Sequence, residues 1–553
     1  MGEGGTGGVC CRKRHWFHRF LSVRDSRKTP HAHRCAVCRD VRKCQKAFRK
    51  AARRRFPARR TECTNRMRGQ ENMKILSNSA LRLRIETVFK VLLLLYTMLG
   101  ACNLTYGTPI ISVVMYPTFL LGGLLILWRL LLAKQFLRST GLPLLILLLL
   151  SYLLSTAMNI AYLSTTTVST FILWCFYFLL LFLEDPARTE TDMVREMRLM
   201  AALYLVYVTV LLIISLVMFF TDYSYVYRDP DNASYEVASG FFAGRLWGAF
   251  QDPNLGAILC CIAAVFSVYF MWYRKNVVLT VLLCANIAVM EFYIALSDSR
   301  NGMVAAGCVA GVTLFFLLFR KLRGEKGGKG VLKRIGSLVI VGVVALASAY
   351  LPRAIQNGYN AIVRSAASDS NPNITPGNKS DTKLPPVIDR SPNASAGNKD
   401  RGSQRIEVWE SGLQITKLRP LYGVSFEGIV PFAKEYLPDT YIISNGNWEF
   451  NTLDNDYLNV LAAQGIPGFI IMIALVGLCA VRLLKNIWHC DGETFPLALV
   501  CSVIVVSLAV SALFQGTMFY QQTPNTVIFW LLLGMAIQLL SKKQAAVAGE
   551  AIV

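Results

Sequence analysis

Long apolar runs recur along the chain, with short polar links between them. A helix that crosses a bilayer needs about 20 consecutive, mostly apolar residues. By that measure twelve segments qualify: 86–102, 109–132, 142–162, 165–184, 199–220, 255–273, 277–296, 302–319, 332–351, 457–484, 496–516 and 526–541. "LPLLILLLLSYLL" and "LYLVYVTVLLIISLVMFF" are the plainest, whereas 277–296 carries Glu291. Lipid-exposed backbone must satisfy its own hydrogen bonds, so the pattern predicts helices. The expected fold is an all-α polytopic membrane protein of about 12 transmembrane helices, with a large extracytoplasmic loop between the ninth and tenth.

Composition agrees. Of 553 residues 54% are hydrophobic and only 17% charged, below the quarter or so usual in soluble domains. The net charge of +24 is uneven, because residues 1–72 hold 21 Lys+Arg against 5 Asp+Glu. This basic segment lacks the apolar core of a signal peptide. It reads either as a disordered cytoplasmic tail attracted to anionic lipid, or as sequence upstream of a true start at Met73, where "MKILSNSALRLRIETVFKVLLLLY" begins. His31, His33, Cys35 and Cys38 fit no strong zinc template. The expected organisation is this tail (1–72), nine helices (73–351), a large loop (352–456), three helices (457–541) and a cytoplasmic tail (542–553).

Lys and Arg in short links mark the cytoplasmic side. They concentrate in alternate links: Arg129, Lys134 and Arg138; Arg188, Arg195 and Arg198; "YRKN"; "RKLRGEKGGKGVLKR"; "VRLLKN"; "SKK". Both termini are therefore expected in the cytoplasm. The 221–254 link, "SDSRNG", the large loop and "FQGTMFYQQTPN" are expected outside. Within the large loop, 366–404 is rich in Ser, Asn, Pro, Asp and Lys and is expected to be flexible. Residues 405–453 look folded. Ile406, Trp409, Leu413 and Ile415 in "RIEVWESGLQIT" recur at near-helical spacing, which predicts a short amphipathic helix ending at "RPLYG".

Polar residues gather beside the outer span ends. They are Arg245, Asp252 and Asn254 in "GRLWGAFQDPNLGA"; Asp298, Arg300 and Asn301 in "SDSRNG"; Arg401, Arg405 and Glu407 in "RGSQRIEVW"; and Asp454, Asn455, Asp456 and Tyr457 in "LDNDYL". Taken singly, an arginine here reads as an interface anchor and an aspartate as a helix cap. Arginines converging on one spot would instead suit a di-anion, because guanidinium forks match phosphate oxygens. A carboxylate beside them could take a proton from a hydroxyl. That combination suggests glycosyl transfer from a lipid diphosphate.

The motifs "GRLWGAFQDPN", "SRNG", "RIEVWESGLQI…RPLYGVSFEGI" and "DNDYLNVLAAQGIPG", in that order around a large outer loop, resemble the O-antigen ligase and polysaccharide polymerase superfamily of bacterial membrane glycosyltransferases. The resemblance covers most of 84–541. It implies a polyprenyl-diphosphate-linked oligosaccharide donor, a glycan acceptor, membrane lipid as surroundings, no nucleic acid, and no metal or cofactor. By motif position it implies Arg300, Arg405 and Asp454 as catalytic residues, and Arg245, Asp252, Asn254, Trp409, Asn455 and Tyr457 as substrate contacts. Ligases carry His-Asn where this chain has Asp454-Asn455, so Asp454 would take over the base role, and Asp456 is expected to serve as a cap or local hydrogen-bond partner. Two rivals remain: a ligase using another envelope acceptor, and a lipid-linked oligosaccharide flippase. A transporter would place ionisable groups mid-membrane, and only Glu291 stands out there.

Overall fold

The computed structural model describes residues 79–228, 236–325, 327–370, 385–389, 404–445, 450, 452–492 and 494–550. The basic segment with its His and Cys residues, and Arg401, lie outside them.

Every one of the twelve apolar segments is helical. The helices are α1 (Ser79–Gly100), α2 (Ile110–Leu131), α3 (Leu142–Met158), α4 (Thr165–Phe176, continued by a wider turn over Tyr177–Phe182), α5 (Glu190–Phe220), α6 (Pro253–Arg274), α7 (Val277–Ser297), α8 (Arg300–Lys321) and α9 (Gly327–Ser370). After the large loop's short helices α10 (Arg405–Leu418), α11 (Ile429–Tyr436) and α12 (Tyr441–Ser444) come α13 (Asp456–Asn486), α14 (Thr494–Ser511) and α15 (Pro524–Glu550). Among the described residues ten helices are long and apolar enough to cross a membrane; α3 is shorter, at 17 residues. In α1 the apolar run is interrupted by Arg82, Glu86 and Lys90, all buried. The protein is an all-α polytopic membrane protein.

Three expectations need correction. The 221–254 link is not a plain loop. It folds into a three-stranded antiparallel sheet of β1 (Ser224–Arg228), β2 (Glu236–Phe242) and β3 (Arg245–Gly248), in the order β1-β2-β3. Next, α9 does not stop at 351 but runs 44 residues, so the first part of the large loop is helix. Finally, the supposedly flexible 366–404 contains an anchored stretch. The Asn360 amide donates to Ile388 O and accepts from Ile388 N–H (2.8 and 3.0 Å), the Tyr359 hydroxyl donates to Pro386 O (3.0 Å), and Asp389 N–H donates to Gly244 O. Ile388 is buried there. The short apolar run "PPVI" is enough to pin the segment where α9 offers it a matching amide.

The basic links gather at one end of the bundle, with a buried ion network. Glu86 receives a two-pronged contact from Arg129 (3.0 and 2.7 Å) and a third from Arg82 (3.3 Å). Arg82 also pairs with Asp185 (2.8 Å), Lys90 with Glu196 (2.6 Å), and Arg188 with Glu196 (3.1 Å). Glu86 and Lys90 thus join Glu291 as ionisable groups inside a span. The sequence reading missed them because charges one turn apart at the start of a helix look like solvated flanks.

Helix α13 is broken. Gly465 adopts φ 71° and ψ −174°, a left-handed backbone that favours glycine. The break frees carbonyls, and the large loop fills them. Val424 N–H donates to Ala462 O, Ser425 N–H to Ala463 O, and Ile466 N–H to Pro420 O (3.0, 3.0 and 2.7 Å). The Ser155 hydroxyl donates to Ala463 O and accepts from Ser425 N–H. A side chain at Gly423 would run into the Ala463 backbone. Backbone pairing of this kind fixes the loop on the bundle and leaves few buried groups unmet.

Candidate functional site

The end of the bundle opposite the basic links carries the four polar motifs. Arg245 stands on β3, 6% exposed, with its guanidinium over the Trp247 ring (5.9 Å to the centroid). One arm reaches Asn254 Oδ1 at 3.5 Å and lies 3.9 Å from Asp252 Oδ1. Asp252 occupies the N-cap position of α6, with Pro253 at the first helical position, yet its side chain makes no cap bond. Instead Asp252 Oδ2 accepts from the Gln515 amide at 2.9 Å. The aspartate read as a cap is a long-range bridge.

Asn254 joins the second motif. The buried Ser299 hydroxyl donates to Asn254 Oδ1 (2.9 Å) and accepts from Gly302 N–H (3.0 Å), capping α8. This places Arg300 on the first turn of α8, with its side chain exposed, close to the group around Arg245. Asp298, by contrast, pairs with Arg353 of α9 at 2.9 Å.

In the third motif α10 forms as expected, but it buries a different face. Ile406 and Leu413 are exposed, while Val408, Ser411, Gly412 and Ile415 face inward. Gly412 packs on Leu453, the residue before Asp454. Arg405 and Trp409 both sit against the Phe514 ring, at 5.7 and 6.4 Å. Glu407 points to the surface.

The fourth motif divides its labour. Asp454 is half-buried in a left-handed turn (φ 49°), and it exchanges contacts with Thr452: its N–H donates to the hydroxyl, and its Oδ1 accepts from it. Asn455, expected to bind substrate, is the N-cap: its Oδ1 accepts from Tyr457 N–H and Leu458 N–H (3.0 and 3.1 Å). The Tyr457 hydroxyl, also expected to bind substrate, is occupied by Ala509 O (2.9 Å). Asp456 is fully buried, and its Oδ2 accepts from Thr517 N–H and Met518 N–H, both at 2.7 Å. It is a long-range hydrogen-bond partner, one residue beyond the cap.

One segment draws these pieces together. The turn 512–518 after α14 supplies Ala512 O to Asp456 N–H, Phe514 to Arg405 and Trp409, Gln515 to Asp252, and Thr517 and Met518 to the Asp456 carboxylate. The sequence reading passed over it. Its only signal is "FQGT" breaking an apolar run, which reads as an ordinary link.

A match to a known family falls on the same part of the chain. Residues 285–473 match the model of the family described as O-antigen ligase, a stretch that includes Arg300, Arg405 and Asp454 but not Arg245. The chain is similar to an uncharacterized protein of Haemophilus influenzae strain Rd, 23% identical over 258 residues, which is 46% of this chain and 56% of that protein. The chain therefore covers little more than half the length of that relative. Three of the four motifs, set around the 512–518 turn, thus lie in the stretch 285–473 that is similar to the O-antigen ligase family.

Proposed function

We propose that the chain is a metal-independent membrane glycosyltransferase that polymerises glycan from a polyprenyl-diphosphate-linked donor on the outer side of the cytoplasmic membrane, with both termini in the cytoplasm. The observation that carries this is the 512–518 turn, which ties Arg405 and Trp409 to the Asp252–Arg245 group and to the helix entry beside Asp454. Arginines from separate loops suit the two negative charges of a diphosphate. In the reaction the acceptor hydroxyl attacks the anomeric carbon of the donor sugar. The bond from that carbon to the diphosphate oxygen breaks, and the electron pair leaves with polyprenyl diphosphate. The hydroxyl proton passes to Asp454. Arg245, Arg300 and Arg405 stabilise the charge on the leaving group.

Asp454 in place of the ligase histidine favours polymerisation over attachment to a different envelope acceptor. The buried ion network is, with Glu291, a feature that a flippase would also display. Its carboxylates are each matched by a cation, however, and it lies at the opposite end from the motifs.

The test uses chromosomal variants in the native organism, read by the length distribution of envelope glycans with membrane levels checked by immunoblot. Asp454→Asn removes basicity while keeping shape and should cost about 10²–10⁴-fold in rate. Asp454→His should retain part of the activity. At least one of Arg245→Lys, Arg300→Lys and Arg405→Lys should fail, because an ammonium cannot reproduce a two-pronged contact. Wild-type glycan from Asp454→Asn and from all three lysine variants would remove the assignment.

A further inference from the structure

Asn301 follows Arg300 on the first turn of α8 and is 1% exposed. Among the described residues neither its Oδ1 nor its Nδ2 has a hydrogen-bond partner. Buried amides are nearly always paired, because leaving one unpaired costs most of its hydration energy. Two residues earlier, Ser299 has its bonds satisfied and locks this turn to Asn254, and Asn254 in turn to Arg245. Asn301 therefore stays unmatched inside a turn whose other polar groups are matched.

It has companions around the same motifs. Gln515 gives its amide N–H to Asp252, but its Oε1 is buried and unmatched. The indole N–H groups of Trp247 and Trp409 are buried and unmatched too. Trp247 lies under Arg245, and Trp409 shares Phe514 with Arg405. Among these groups are donors (Asn301 Nδ2 and both indoles) and acceptors (Asn301 Oδ1 and Gln515 Oε1). An ionised diphosphate only accepts, and could not answer the acceptors. A hydroxyl both donates and accepts, so a polyhydroxylated ligand answers both kinds.

We propose that Asn301 contacts substrate, its side-chain amide engaging a hydroxyl of the sugar that carries the diphosphate in the lipid-linked donor. This deepens the transferase assignment and rests on it. In the reaction Asn301 changes no bond; it holds the donor sugar while Arg300 and its partners hold the leaving group.

The assignment separates from a structural role by the sign of a stability effect. Leucine has nearly the shape of asparagine, and in Asn301→Leu no protein hydrogen bond is lost. The variant should reach wild-type membrane levels and, purified in detergent, melt no lower than wild type. Envelope glycan made by the native organism should nevertheless fall about ten- to a hundredfold, the effect of losing one buried hydrogen bond to substrate. Asn301→Ala should behave likewise. If deleting the whole gene leaves every envelope glycan unchanged, the transferase assignment fails and this one with it. If deletion alters a glycan and Asn301→Leu restores it fully, only the Asn301 assignment fails. A Leu variant that melts lower or does not accumulate would make Asn301 structural, and that also overturns the proposal.

Discussion

The carboxylate of Asp456 and the backbone N–H of Thr517 lie 2.7 Å apart across 61 residues of sequence. Met518 N–H reaches the same oxygen at the same distance, and Asp456 N–H returns a bond to Ala512 O. A carboxylate on the first turn of a helix also meets the positive end of the helix dipole. The link therefore holds two ends of the site together. Asp456→Ala should cost about 2–4 kcal/mol, because two buried N–H groups lose a charged acceptor. Asp456→Asn should cost much less, since both bonds fall on one oxygen that an amide can supply. Thermal melts of the detergent-solubilised protein decide this. Equal losses for the two variants would mean that charge, not bonding, holds the turn.

The ion network at the basic end gives a second expectation. Glu86 takes contacts from both Arg129 and Arg82, and Arg82 is shared with Asp185. Removing one member of a buried pair leaves a bare charge and typically costs about 3–5 kcal/mol. Glu86→Gln should therefore lower the melting temperature and the membrane level markedly. The double change Glu86→Gln with Arg129→Met should recover part of the loss, because it removes a cation left without its partner. A double variant no better than the single one would mean that the network's geometry matters more than its balance.

Glu427 lies in the loop between α10 and α11, beside Phe426, whose ring stacks on Tyr520 at 4.1 Å. Burial lifts its carboxyl above the ordinary value of 4.5. The folded protein then keeps a proton that the unfolded chain has already released. Stability therefore falls as pH rises from the unfolded value through the folded one, and the whole penalty is present above that. Glu427→Gln should melt higher than wild type at about pH 7 and level with it at about pH 4. Identical melts at both values would remove burial as the cause.

The helices were legible because each apolar run is long enough to span lipid, and nothing else in the chain competes for that signal. Three features were not. The β1–β3 sheet escaped because Ser224–Gly248 mixes small and aromatic residues without clean alternation. The buried face of α10 was misplaced because Ile406 and Leu413 look like core, yet Ser411 and Gly412 are what allow close packing on Leu453. Of the site, the arginines, Asp252 and the LDNDYL motif could be read as a group from charge at span ends. Their division of labour could not. Whether Asn455, Asp456 or Tyr457 faces a ligand or a backbone partner depends on the 512–518 turn, which lies far off in sequence and has no composition of its own.

The break at Gly465 also sets a height. Measured along its axis, the part of α13 beyond the break has about 21 residues, on the order of 30 Å, which by itself equals the thickness of a bilayer's hydrocarbon layer. The part before it, from Asp456 to Gln464, adds about nine residues, on the order of 13 Å. A lower piece of that length can cross the hydrocarbon layer by itself, which would leave the upper piece as a short pedestal in the headgroup zone, with Asp454 at its top near the level of a lipid's diphosphate.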